Sequence, residues 1–248
     1  MGVIMNNTIK ELYERKSVRV FTDEVITDEE RELILNAALQ APTAGNMTLY
    51  SIIDVQDQKL KEILAKRCDH QPFIAKAPLV LVFLADYQKW FDIFKEYDKD
   101  IPPLEESDLL LAAQDCAIAA QNAVVAAESL GIGSCYIGDI IENFEENQKT
   151  FNLPKYAVPF SMVVFGRPTQ QQKERQKPKR FEISDIVHID QYQHKTIEET
   201  KDMFIRHNNK NEEELEKNIK AFAKRKFYAE FRHEMNRSAR AIIESWTK

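Results

Sequence analysis

The stretch Leu109 to Leu130, LLLAAQDCAIAAQNAVVAAESL, decides the fold. It is apolar except at Gln114/Asp115, Gln121/Asn122 and Glu128/Ser129, pairs that recur every seven residues and trace one narrow polar stripe on a helix. At 1.5 Å per residue the helix is about 33 Å long. A helix apolar around most of its circumference must be buried on several sides. Gly131 follows as a natural C-cap. Either a large monomer wraps this helix, or an extensive interface between two copies covers it. A homodimer is expected.

The elements on either side indicate an α+β fold. The stretch TDEERELILNAALQA opens with Thr27 and Glu30 as a capping box, followed by apolar positions at helical spacing. The runs LYSIIDVQD, PLVLVFLAD and YAVPFSMVVFG are short, β-branched and aromatic, and bounded by turn formers, so they read as strands with helices between them. No repeat, low-complexity segment or Gly/Ser linker divides the 248 residues, which read as one domain. After Pro178 the chain has neither Gly nor Pro and favours long helices; from about Lys195 it forms a helical extension. That extension holds 13 Lys and Arg against 10 Asp and Glu, a balance of +3, which leaves −9 before it. It reads as a solvated appendage, or as a segment that wraps a partner or covers a site.

Composition excludes several classes. The three cysteines are far apart and odd in number, which fits a reducing compartment and neither a disulfide framework nor a cysteine zinc site. The five histidines have no metal-ligand spacing, and no G-x-S-x-G or P-loop is present, so no metal is expected. The amino terminus lacks the apolar run of a signal peptide, and Asn6 stands where a myristoylation motif has Ser or Thr. The run Ala77 to Ala85 is half the length of a membrane span. A soluble, cytoplasmic protein is expected. With pI ≈ 5.5 and net charge −6, nucleic acid is not an expected partner.

Against that charge, YERKSVRVF places Arg15, Lys16 and Arg19 around Ser17. In a strand 15, 17 and 19 share a face, and in a helix 15 and 19 do. The cluster is either a solvated helix end or a site for an anion. A second cationic knot, Lys177, Lys179 and Arg180, precedes a strand-like DIVHI. Apart from Gly2, the glycines fall in APTAGNM, GIGSCYIG and FGRP. Gly45 fits a loop, whereas Gly133 and Gly138 around SCYI suggest backbone offered to a flat ligand.

Taken in order, ERKSVRVF, APTAGNMTLYSII, DHQPFIAKAP, AAESLGIGSCYIG, PFSMVVFGRP and KPKRFEISDIVH resemble the FMN-dependent nitroreductase family, in particular its NADPH-dependent oxygen-insensitive branch. The resemblance runs from about Thr8 to Tyr192. It implies a mostly antiparallel sheet sandwiched by helices, an intertwined homodimer, and one FMN in a cleft between subunits. On that pattern Arg15 and Ser17 hold phosphate and ribityl oxygens, and Arg19 faces the ring's N1/O2 edge. Thr43, Ala44, Gly45 and Asn46 form the loop over the flavin, and Gln71 bonds its pyrimidine. Tyr136, Ile137 and Gly138 line the other side; Lys177 and Arg180 complete the phosphate site.

The implied activity is hydride transfer from NADPH through flavin N5 to nitroaromatic, quinone or free flavin acceptors, with ping-pong kinetics and no protein nucleophile or base. Lys224, Arg225 and Lys226 are a candidate clamp for the NADPH 2′-phosphate, and His188 is read as structural. Three departures stand out: Thr48 replaces a Gln, YIGDII places Asp139 and Ile141 where relatives have Gly and Arg, and KPKRF is one residue longer, leaving Lys179 or Arg180 in the arginine's role. A carboxylate near the flavin motivates the alternative, a flavin-binding redox sensor or regulatory protein with little turnover.

Overall fold

The computed structural model describes residues 5–248; residues 1–4, with Gly2 and part of the amino-terminal stretch read above, lie outside it. Two compact units form. The first runs to Arg175 and resumes at Glu234–Lys248, and the second is Gln176–His233. The first unit begins with α1 (Asn7–Glu14) and α2 (Asp28–Leu39), the latter opened by the expected Thr27/Glu30 capping box. Then come β1 (Tyr50–Asp54), α3 (Gln58–Arg67), α4 (Phe73–Lys76) and β2 (Leu79–Asp86). They are followed by α5 (Gln88–Tyr97), α6 (Glu106–Ser129), β3 (Gly133–Ile137), α7 (Phe144–Thr150), β4 (Ala157–Gly166) and α8 (Gln170–Glu174).

The four strands pair antiparallel throughout in the order β1-β2-β4-β3. This is the expected α+β arrangement, and the runs LYSIIDVQD, PLVLVFLAD and YAVPFSMVVFG are strands as read from the sequence. β2 is buried along its whole length because both faces are covered. Its Leu79, Leu81 and Phe83 pack with α2 and α6, whereas Val80, Val82 and Leu84 pack with α3 and α4. A strand buried on both faces reads as a continuous apolar run rather than an alternating one.

α6 spans the length expected and is lined by alanines, Ala119, Ala120, Ala123 and Ala127 being wholly buried, which lets it lie close on the sheet. By length and composition it could cross a membrane, but half of its most apolar window is buried in protein, the mark of a core helix. The exposed stripe differs from the polar one read from the sequence. It runs through Leu110, Leu111, Gln114, Ala117, Ile118 and Gln121, with Leu110 64% exposed, while Asp115 faces inward.

The second unit holds α9 (Ile183–Ile186), α10 (Ile197–Asn208), α11 (Glu212–Phe227) and the start of α12 (Glu230–Thr247). DIVHI is not a strand. Glu182 and Asp185 form a capping box that turns Ile183–Ile186 into a helical turn, overriding the β-branched pattern. His188 accepts from the Gln193 N–H at 3.0 Å and packs on Tyr192, a structural role.

From Glu234 onward α12 belongs to the first unit and is no appendage there: Ser238, Ile242 and Trp246, spaced four apart, are buried. Trp246 is wholly enclosed and meets Tyr156 edge-on at 5.4 Å. Trp246→Ala should therefore lower the unfolding free energy by about 3–5 kcal/mol, as read by urea denaturation. A loss below about 1 kcal/mol, the scale of a surface substitution, would place α12 outside the core.

Candidate functional site

The cationic segment leaves α1 as extended chain. Arg15 has φ −52 and ψ 131, Ser17 forms a parallel bridge to Ser134 on β3, and the Val18 N–H donates to Ser134 O at 2.8 Å. β3 is one of the two edge strands, so this segment covers an otherwise open edge. Side chains alternate as in a strand. Lys16 turns one way and donates to the carbonyls of Lys173 and Arg175 at 2.6 and 2.5 Å, and Val18 is buried against Gly133. Arg15, Ser17 and Arg19 take the other face. Arg175, which no motif marked, donates to the Ser17 carbonyl and fixes the segment from behind.

Arg15 lies 5.9 Å from the Tyr136 ring centroid, and Arg19 lies 5.9 Å from that of Phe73. Among the described residues neither guanidinium makes an ion pair within 4 Å, which is true also of Arg175, Arg180, Arg225, Arg232 and Arg240; the charge of Arg15 is felt by Glu128, whose carboxyl burial pushes up and Arg15 pulls down. The Arg15 Nε is buried and has no hydrogen-bond partner. Burial pushes the Tyr136 hydroxyl up to about 12, with Arg15 pulling it back. Burial likewise raises the Cys135 thiol against the opposing pull of Arg19.

Gln71 joins this group. Its Nε2 donates to Cys68 O at 2.8 Å and to Asp139 Oδ2 at 2.6 Å, beside Gly138. Gly138 is open, with nothing within 4 Å of an added Cβ. Gly133 has a different role from the ligand approach read in the sequence: a Cβ there would stand 2.5 Å from Val18 Cγ2. It is a packing glycine. The structure thus gathers Arg15, Ser17, Arg19, Gln71, Tyr136, Ile137 and Gly138 along one edge.

The loop Thr43–Asn46 forms a second group. Gly45, Asn46 and Thr48 all have positive φ, costly for a β-branched Thr, and a buried carboxylate holds them there. Asp115 on α6, 3% exposed, accepts from Thr43 Oγ1, from the Ala44 N–H at 3.0 Å and from the Leu49 N–H at 3.1 Å. Thr43 Oγ1 also accepts from the Thr48 N–H at 2.7 Å, closing the loop on itself. Asp115 was missed by sequence reading, where it counted as half of a polar stripe; a lone charge in an alanine-rich helix was the available signal. Among the described residues no hydrogen bond, ion pair or ring contact joins this loop to the Arg15–Gly138 group.

Lys177, Lys179 and Arg180 belong to the second unit. Lys179 Nζ donates to Arg206 O at 3.1 Å, and Arg180 is exposed. In the proposed clamp, Arg225 lies over Phe222 at 5.2 Å and Lys226 over Phe231 at 5.3 Å. All three clamp cations sit in the last turn of α11, where they complement its dipole. No group of three or more His, Cys, Asp or Glu side chains suited to a metal ion occurs among the described residues.

Comparison with known proteins gives this architecture its class. The model of the nitroreductase family matches residues 12–167. The chain is 32% identical over 232 residues to an FMN reductase (NADPH) of Bacillus subtilis, covering 90% of this chain and 93% of that one. It is 35% identical over 189 residues to the oxygen-insensitive NADPH nitroreductase of Salmonella typhimurium, 76% of each chain. Among solved structures, a putative oxidoreductase from Bacteroides fragilis superposes with a TM-score of 0.84 at 25% identity, over 96% of this chain and 98% of the other. The chain belongs to the nitroreductase family.

Next to Asp139 lies a group whose ionisation should be visible in stability. Burial pushes the Glu142 carboxyl from its ordinary 4.5 up to about 7, helped by Asp139, Asp69 and Glu234, and its Oε1 has no partner. A raised folded-state value means that the fold binds a proton more tightly than the unfolded chain. Stability from this group is complete below pH 4.5 and is lost as pH rises through 7. Glu142→Gln, which stays neutral, should gain on the wild type by up to about 3 kcal/mol between pH 5 and pH 8. Urea midpoints at several pH values check this; a gap that stays constant would contradict it.

Proposed function

We propose that the protein is an FMN-dependent oxidoreductase that takes a hydride from NADPH and passes it to nitroaromatic, quinone or free flavin acceptors. The observation that carries this reading is the pair Arg15 and Arg19, two guanidinium groups set on one face of the segment beside Tyr136 and Phe73, with the Arg15 Nε buried and unbonded, in a chain of net charge −6. A guanidinium offers a rigid fork of donors suited to phosphate and to the electron-rich edge of a flavin. The partnerless Arg15 Nε, open Gly138 and the strained loop fit that group. The relatives named as reductases support catalysis over the regulatory alternative suggested by Asp139.

When bound, FMN supplies the hydride chemistry at N5; the chain supplies position and charge. Arg15 and Ser17 hold phosphate and ribityl oxygens, and Arg19 faces the N1/O2 edge. Thr43, Ala44, Gly45 and Asn46 cover the ring, Gln71 bonds its pyrimidine, and Tyr136, Ile137 and Gly138 line its other side. Of the two residues competing for the family arginine's role, Lys179 already serves Arg206 O, which leaves Arg180 beside Lys177.

That no hydrogen bond, ion pair or ring contact joins loop and cationic edge among the described residues supports a cleft completed by two copies. Leu110, Leu111 and Ile118 on α6 provide an apolar stripe for that contact. Light scattering should give twice 28.9 kDa; a monomer that retains FMN would refute the shared cleft. The relatives' names carry no address, and a cytoplasmic location follows from the sequence reading alone.

The purified protein should be yellow, and NADPH oxidation with a nitroaromatic acceptor should give parallel double-reciprocal plots. A colourless protein that cannot be loaded with FMN ends the proposal. The two arginines should separate in a redox titration of FMN-loaded variants. Reduction places negative charge at the N1/O2 edge, so a guanidinium there favours the reduced state. Arg19→Gln should lower the midpoint by roughly 30–60 mV, from a charge-assisted bond differing by about 1.5–3 kcal/mol between states. Arg15→Gln should chiefly weaken FMN retention, because a phosphate contact is nearly indifferent to redox state. The reverse pattern would exchange their roles.

A further inference from the structure

Gln71, a partly buried side chain, is held firmly by its backbone and by its own bonds. The two residues before it, Asp69 and His70, are both left-handed, with φ 54 and 51, a costly backbone for non-glycine residues. The surrounding bonds hold it in place: the His70 N–H reaches Lys66 O at 3.3 Å, and the Gln71 N–H reaches Ala65 O at 2.8 Å. Its carboxamide is then fixed by Cys68 O at 2.8 Å and Asp139 Oδ2 at 2.6 Å. A carbonyl always accepts, and so does an ionised carboxylate, so the NH2 group must face them whichever way the amide is drawn. Both of its hydrogens are consumed. Oε1 is the only polar atom that the carboxamide has left to offer a ligand, and it can only accept.

We infer that Asp139 is a positioning residue that turns Gln71 from a group able to donate or accept into a fixed acceptor, so that the cleft selects a ring presenting an imide N–H. This rests on the FMN reading, in which the matching donor is the flavin N3–H. Asp139 supplies the side-chain oxygen that holds the amide, which a glycine or an alanine at that position lacks. Without it Gln71 is free to flip and lose its preference for a donor. The selection is therefore a property of this chain rather than of the glutamine alone.

The test uses full-length apoprotein and two probes, FMN and 3-methyl-FMN, which lacks the imide hydrogen. Wild type should bind FMN at least about tenfold more tightly than the methylated analogue, the equivalent of one good hydrogen bond. Asp139→Ala should reduce that ratio to about two or less, with FMN affinity itself down severalfold. Asp139→Asn, whose Oδ1 still accepts from Gln71, should restore most of the discrimination. A variant that was merely less stable would weaken both probes alike and leave the ratio unchanged, and that result overturns the assignment, as does a wild type indifferent to the methyl group. If the wild-type apoprotein binds neither flavin, the functional reading fails first and the assignment with it. Far-UV circular dichroism of each apoprotein confirms that the comparison is between folded chains.

Discussion

The site depends on how closely one extended segment can approach the sheet. Gly133 and Gly166 face each other across β3 and β4, and an added Cβ at either would stand 2.5 Å from a side chain of the segment, Val18 and Phe21 respectively. The missing side chains form a trough into which Val18 and Phe21 settle. With Val18 seated, the two-residue alternation of extended chain directs Arg15, Ser17 and Arg19 to the opposite face, and Phe21 falls beyond that alternation, where the chain bridges to Pro168 instead. Lys16 and Arg175 secure the segment through main-chain carbonyls. The cationic face therefore follows from packing and from main-chain acceptors.

Much of this was legible in the sequence. An alanine-rich helix with so little polar surface had to be central, and the capping box Thr27/Glu30 marked the start of α2 as found. β2 and β4 were visible because burial on both faces leaves an uninterrupted apolar run. Less was legible where a short local signal outweighed a longer pattern. Asp-Ile-Val-His-Ile alternates like a strand, but two carboxylates three residues apart capped a helical turn first. Trp246 lay inside a charged, basic tail whose average composition hid the buried positions at 238, 242 and 246.

Partners were harder to see than positions. The motif residues were marked by resemblance, but what restrains them was not legible, since Asp115, Arg175 and Asp139 act across 71, 158 and 68 residues of chain. A sequence displays a carboxylate without showing which amides it will meet. For Asp115 those amides belong to a loop with three left-handed residues, so a single buried charge compensates for backbone strain that the loop could not sustain alone. The most constrained atoms of the site lie one layer behind the surface that a ligand would touch.

α6 also works as a ruler. Asp115 anchors the loop Thr43–Asn46, and six residues further on the side chain of Gln121 meets the Tyr136 hydroxyl at 3.3 Å, on the other half of the site. Six residues are about 9 Å of rise and one and two-thirds turns. Within each copy the loop and β3, which the proposed cleft draws from different copies, are thus spaced by the pitch of a single helix, in both distance and angle. A change that tightened or loosened that one stretch of winding would misalign them while leaving every side chain of the site in place. Length and twist between positions 115 and 121 are accordingly under the same constraint as the site residues themselves.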